Sequence, residues 1–279
     1  MSLILLLELL IEPKGRLTWP YGDYVPGGYM AKVSLPLFCT LIAVAVNRSN
    51  LTSFYYGIIS FISIIMTGFT GERTHTILRI CCGFLASMLW RPKKILIIGL
   101  VVAELIGLSI LIYSNPIRLK SFTTSFYSSL PIIKTEDTNP YWGSWRGGIQ
   151  QALAKPITGI GPSGTRNTCA YLPPKKPEWL PGKNYCGNHP HNFYIQLFAE
   201  TGFLGFIFGT SMIVAIIISC YKERIINSRC PITSTAFVIP FGIFFPLQQF
   251  GSFYGQWGNL FIWFAVGYSI SQIQNWDKK

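Results

Sequence analysis

The sequence predicts an all-α polytopic membrane protein, with about seven transmembrane helices and one large loop outside the membrane. Composition, the recurrence of apolar runs and the placement of basic residues carry that expectation. Half of the 279 residues are hydrophobic and only 12% are charged, and the mean hydropathy of +0.38 is far above that of an ordinary soluble domain of this length. Apolar runs of spanning length recur between short polar breaks. Coiled-coil heptads, low-complexity tracts and short internal repeats are absent.

In chain order, residues 3–11 are apolar but too short to cross a bilayer and lack a basic leader, so they resemble the tail of a helix. Residues 16–29 form a Pro/Gly/aromatic loop. Apolar spans follow at about 30–46 and 51–69, then Gly71-Glu72-Arg73-Thr74 interrupts before spans at 76–90 and 95–113. Residues 114–190 are the only hydrophilic stretch large enough to fold outside a membrane. A long helix over 192–221, a basic turn over 222–229 and spans at 233–247 and 257–270 complete the chain. The expected divisions are therefore 1–29 (partial helix and loop), 30–113 (spans), 114–191 (loop with short helices) and 192–279 (spans).

Seven spans from Met30 onward place Arg91, Lys93 and Lys94, then Lys222, Arg224 and Arg229, and the terminal Lys278 and Lys279 on one side, which the positive-inside rule makes cytoplasmic. Arg73, the 114–190 loop, the His-Pro-His knot and a 248–256 hairpin then face the opposite compartment. The net charge of +12 does not point to nucleic acid. Basic residues beside apolar spans fit membrane lipids and diphosphates instead.

Of the seven cysteines, Cys169 and Cys186 alone lie in the large loop, bracketing YLPPKKPEWLPGKNY. A disulfide there would stabilise a loop with little core by about 3 kcal/mol; two unpaired thiols are the alternative.

Candidate chemistry gathers on the same face. The stretch CGNHPHNFYIQLFAETGFLGFIFG (residues 186–209) joins a polar knot with two of the chain's three histidines to an apolar helix, placing His191 and Asn192 at a water–lipid boundary. A proton acceptor there suits chemistry on a lipid-borne head group, although His189 and His191 also suit a plain helix entrance. Glu200 lies about 12 Å further along that helix, where an ionisable group needs a partner or a purpose. Nine residues at about 100° each put it and His191 on roughly opposite faces. Residues 145–156 read as a short amphipathic helix, followed by a turn with Gly159, Gly161 and Gly164, whose amides would approach an anion closely while Arg166 offers a planar fork for phosphate oxygens. Arg146 suits either a substrate or the solvated face of that helix, and Arg79, mid-span, either a buried acid or a snorkelling position.

TGERT around Arg73, KPITGIGPSGTRNTC (155–169), CGNHPHNFYIQLFAETGFLG (186–205) and FGSFYGQW (250–257) resemble, in order and spacing, the O-antigen ligase/O-antigen polymerase superfamily of bacterial envelope glycosyltransferases. The resemblance implies a polytopic fold with a large periplasmic loop in the inner membrane. It also implies metal-independent, inverting transfer of a glycan from an undecaprenyl-diphosphate carrier to a lipid-linked or lipid A core acceptor, without cofactor. On the matching motifs, His191 would be the general base, with Arg73 and Arg166 holding the diphosphate and stabilising the leaving group. His189, Asn192, Arg146, Glu200 and Gly161 are expected around the substrate. Neighbouring cations would keep the histidine in its basic form. Relatives generally carry more spans before this region, so the chain looks N-terminally truncated. Rival expectations are a transporter or flippase of lipid-linked glycans, which would scatter ionisable groups near the midplane of several spans, and an inactive truncated homologue.

Overall fold

The computed structural model describes residues 77–82, 94–113, 140–166, 189–226, 236–248 and 251–274, together with positions 7, 8, 11, 19, 55, 62, 75, 85, 116, 119, 120 and 123. Arg73, Cys169 and Cys186 and the expected spans over 30–46 and 51–69 fall outside these residues or touch them only at isolated positions. Among the described residues all regular structure is helical.

Helix α1 is Lys94–Tyr113, matching the expected 95–113 span. Its sequence, KILIIGLVVAELIGLSILIY, places apolar residues on every face of the helix. Val102, Leu105, Ile106, Ile110 and Tyr113 are exposed along it. Helix α2 is Pro140–Ala154 and begins earlier than the expected 145–156 helix, with Pro140 suited to a first helical position. It stops before Lys155-Pro156, because the residue ahead of a proline is pushed out of the helical region.

Helix α3, Phe193–Ile226, runs for 34 residues across a kink at Gly202, whose φ of 67° and ψ of −169° belong to a backbone region that essentially only glycine occupies. The kink divides two kinds of surface. Before it, Asn192, Gln196 and Glu200 recur every fourth residue and are buried with Phe193, Leu197 and Ala199. After it, Phe203, Leu204, Ile207, Phe208, Met212, Val214, Ile218 and Tyr221 are exposed, Phe208 by 73%. The exposed apolar surface therefore starts at Phe203, not beside His191 as the sequence suggested. The polar stripe of the first turns hydrogen-bonds to other segments and is covered by them.

One helix among the described residues, Phe193–Glu223, is long and apolar enough to cross a membrane, and only 11% of its apolar window is buried within the protein. A core helix of a soluble protein would be mostly covered.

Helix α4, Val238–Ile243, has only six residues, so the expected 233–247 span ends at Ile243 in a turn through Gln248. The turn is fixed because the Phe244 and Pro246 carbonyls accept from the side chains of Tyr194 and Asn192 rather than continuing a helix. Helix α5, Gln256–Gln274, contains the expected 257–270 span.

The chain divides into two compact units. The first holds residues 1–123, 216–243 and 261–279. Its described core includes Leu78, Cys82, Cys220, Phe237, Ile239, Ile262 and Val266, with Tyr221 and Phe237 packed edge to face at 5.4 Å. Arg79 is 2% exposed there, so it is enclosed by protein and does not snorkel. The second unit holds residues 124–215 and 244–260 and contains the candidate site.

Candidate active site

The site is built on the first turns of α3. Asn192 Oδ1 accepts from the amides of Tyr194, at 3.0 Å, and Ile195, at 3.1 Å, and so caps the helix N-terminus. Its Nδ2 donates to the Pro246 carbonyl at 2.7 Å, and the Tyr194 hydroxyl donates to the Phe244 carbonyl at 2.6 Å. Phe193 completes the anchor with edge-on contacts to Phe244 at 5.2 Å and Phe253 at 5.1 Å. Asn192, 4% exposed, is thus committed to the fold through both ends of its side chain.

The preceding residue, His191, takes φ of 55°. A left-handed conformation costs a non-glycine residue about 1–2 kcal/mol, and such strain persists where the surroundings over-determine it. Here the cap, the Pro246 contact and the aromatic anchor fix the chain just after it. The His189 and His191 rings lie 4.2 Å apart, tilted by 53°. Burial holds the His191 imidazole below its ordinary value, so it is neutral and basic at neutral pH. The direction matches the sequence expectation, and among the described residues its cause is burial.

Helix α2 approaches α3 on a face of small residues. Ser144, Gly147 and Gly148 are buried on α2, and a side chain at Gly148 would meet Ile195 at 2.6 Å and Pro190 at 2.8 Å. Arg146 and Ile149, on the other side, are half-buried. Gln151 then donates to the Thr165 carbonyl at 3.3 Å.

After α2, the glycine-rich turn folds onto the end of the first segment of α3. Gly202 ends that segment and frees carbonyls, which the turn satisfies: Ile160 donates to Ala199 and Gly161 to Glu200, at 2.9 and 3.0 Å, while Phe203 donates back to Pro156 at 2.7 Å. Gly159 and Gly202 make this approach possible, since a Cβ on either would strike the backbone of the other segment. Gly161-Pro162-Ser163-Gly164 is closed by a 2.9 Å bond from Gly164 to Gly161, with Ser163 at φ of 58° in the third position, where the turn calls for a positive φ.

Glu200, 1% exposed, binds this turn from beneath. Its carboxylate accepts from Ser163 N at 3.1 Å, Thr165 Oγ1 at 2.6 Å and Gln196 Nε2 at 3.2 Å. Gln196 extends the network to the 251–255 loop: its Oε1 accepts from Phe253 N at 2.9 Å, and its Nε2 reaches Ser252 Oγ at 3.4 Å. Burial, followed by the charge of Glu200, pushes the Tyr254 phenol up, so it stays protonated at neutral pH.

This geometry corrects the anion-cradle reading of the turn. The amides of Gly159, Ile160, Gly161, Ser163, Gly164 and Arg166 all donate within the protein. What the turn presents is the exposed side chain of Arg166 and, at Gly161, open space where a side chain would otherwise lie. Glu200 likewise faces the protein. The structure therefore brings Asn192, Glu200, Gly161, Arg166, His189 and His191 into one unit on two docked segments, with Arg146 in the same unit on the far side of α2, while Arg73 lies outside the described residues. Sequence reading missed Gln196, Thr165 and Ser252. The four-residue spacing of Asn192, Gln196 and Glu200 was the available signal.

The model of a family described as O-antigen ligase matches residues 58–209, more than half of the chain. The match contains α1, α2, the glycine-rich turn, the histidine knot and α3 as far as Gly209. No curated protein gives a significant match. With the family's region thus carrying the docked turn and the His191–Asn192 helix entrance, the chain belongs to the O-antigen ligase family of glycosyltransferases.

Proposed function

We propose that the chain transfers a glycan from an undecaprenyl-diphosphate carrier to a lipid-linked glycan or lipid A core acceptor, in surface polysaccharide assembly. The observation that carries this reading is His191, a half-buried basic imidazole fixed in a left-handed conformation ahead of a buried helix cap, within the region that matches the family. His191 removes the proton of the acceptor hydroxyl as its oxygen attacks the anomeric carbon. The bond from that carbon to the diphosphate breaks, its electron pair goes to the phosphate oxygen, and undecaprenyl diphosphate leaves. Arg166 and Arg73 balance the charge that develops there, their planar forks matching phosphate oxygens bidentately. One displacement inverts the anomeric configuration, and no metal or cofactor takes part.

The exposed apolar surface of α3 supports placing this chemistry at a membrane. Residues 203–223 at 1.5 Å each span about 31 Å, the thickness of a bilayer's hydrocarbon core. In this reading the site stands above the boundary at Gly202, with the 114–190 loop periplasmic in an inner-membrane protein of seven spans.

The test uses the purified full chain in proteoliposomes with an undecaprenyl-diphosphate-linked oligosaccharide, offered lipid A core in one arm and a second lipid-linked glycan in the other. Transfer to one acceptor with inverted configuration is expected and separates ligase from polymerase. Transfer to neither, or retention of configuration, would overturn the proposal.

A further inference from the structure

We propose that Glu200 is a positioning residue that aims Arg166 through Thr165 and Ser163, rather than a ligand of the substrate. The inference rests on the reading of Arg166 as a diphosphate ligand. It begins from an imbalance in how the turn is held. Arg166 is exposed, at the end of a segment whose third turn residue, Ser163, adopts a conformation that serine disfavours. A flexible arginine on a strained turn would be a poor clamp for a diphosphate, since any freedom in the turn is freedom in the guanidinium.

Glu200 removes that freedom from within the protein. One carboxylate oxygen takes the amide of Ser163 and so fixes the strained residue. The other takes the hydroxyl of Thr165, the residue directly before Arg166, whose carbonyl is held in turn by Gln151. Both partners are charge-assisted donors aimed at a group with negligible access to solvent. Gln196 fixes the carboxylate against sliding and ties the same centre to the loop of Phe253 and Tyr254. Among the described residues the donors that reach the carboxylate are Ser163, Thr165 and Gln196, and the backbone carbonyl of Glu200 is taken by Gly161 as well. The bonds Glu200 makes thus converge on the segment that bears Arg166.

The experiment compares the full chain in proteoliposomes with Thr165→Val, Thr165→Ser, Glu200→Gln, Arg166→Ala and the Thr165→Val/Arg166→Ala pair. Donor is titrated at saturating acceptor and acceptor at saturating donor, and the thermal midpoint of each variant is recorded. Thr165→Val should raise the donor KM roughly tenfold, the loss expected for one hydrogen bond to a charged group, while the acceptor KM stays put. Thr165→Ser should restore it. Glu200→Gln should do more, because its amide nitrogen would face donors; should that variant fail to fold, the Thr165 pair carries the test alone. In the Arg166→Ala background Thr165→Val should add less than about twofold, since both act through one guanidinium. Multiplying effects would overturn the inference and leave the function standing. So would a Thr165→Val loss that falls on donor and acceptor alike, tracks a lower thermal midpoint and is not rescued by serine. An Arg166→Ala variant with unchanged donor KM would instead sink the assignment of Arg166 to the diphosphate, and this inference with it.

Discussion

Replacing Gly202 by alanine should undo the docking on which the site depends, and the structure allows the size of the effect to be worked out. The φ of 67° and ψ of −169° are open only to glycine, so any side chain there costs about 1–3 kcal/mol of backbone strain. The new Cβ would also strike the carbonyl of Ile157 and lie 2.6 Å from the Gly159 nitrogen. These are backbone atoms and cannot rotate away. The turn would have to lift, loosening the bonds from Ile160 to Ala199, Gly161 to Glu200 and Phe203 to Pro156, each contributing about 1 kcal/mol. A loss of about 4–6 kcal/mol follows. Gly161→Ala is the matched control, because Gly161 also has a positive φ, of 92°, but nothing lies within 4 Å of its added carbon; it should lose only about 1–2 kcal/mol of strain. Gly99→Ala, in the middle of α1 with open space around it, should stay within about 1 kcal/mol of the parent. SDS-induced unfolding in mixed micelles measures all three. If Gly202→Ala proved no worse than Gly161→Ala, the close approach of turn and helix would not be what stabilises this unit.

Asn192→Ala should lose about 1–2 kcal/mol for the helix cap, and more for the Pro246 carbonyl left without its donor; Asn192→Ser, which keeps a capping oxygen and puts no charge against that carbonyl, should fall between, and equal losses in the same unfolding assay would show that the cap does not contribute. The transfer rate should be flat at neutral pH and fall only as pH drops below 6.5, because burial lowers the His191 value from there and the neutral imidazole is the active form; an inflection above 6.5 would contradict it. The same shift means that the unfolded chain binds more protons between the lowered value and 6.5, so stability should rise with pH across that window. Cys169 and Cys186 should resist alkylation until a reductant is added, as bridged thiols do; labelling without reductant would show that they are free.

Much of the helical layout was legible from the sequence because it follows from hydropathy alone: α1 and α5 coincide with apolar runs, and the helix after Asn192 was expected there. The kink in α3 was not, since one glycine in an apolar helix is ordinary, and only the arrival of Gly159 from another segment explains why Gly202 must be one. The short α4 escaped for a similar reason. The carbonyls of Phe244 and Pro246, just beyond it, are captured by Tyr194 and Asn192, about fifty residues away in sequence, and hydropathy does not register such bonds. His191 and Arg166 stood out in the sequence by their chemistry and motifs, and their roles at the substrate are part of the proposal. Glu200 stood out as well, but not the segments it bonds, because the sequence shows that a buried carboxylate needs partners without showing which segments supply them. Thr165 and Gln196 look like any polar residues until the turn and the helix are docked.

The proposed role of His191 as the base of a glycosyl transfer is tested most directly by single-turnover transfer by purified His191→Ala in proteoliposomes, measured alongside binding of the undecaprenyl-diphosphate donor. Loss of transfer to background with donor binding retained is the predicted result. The outcome that would contradict it is transfer at a near-parental rate.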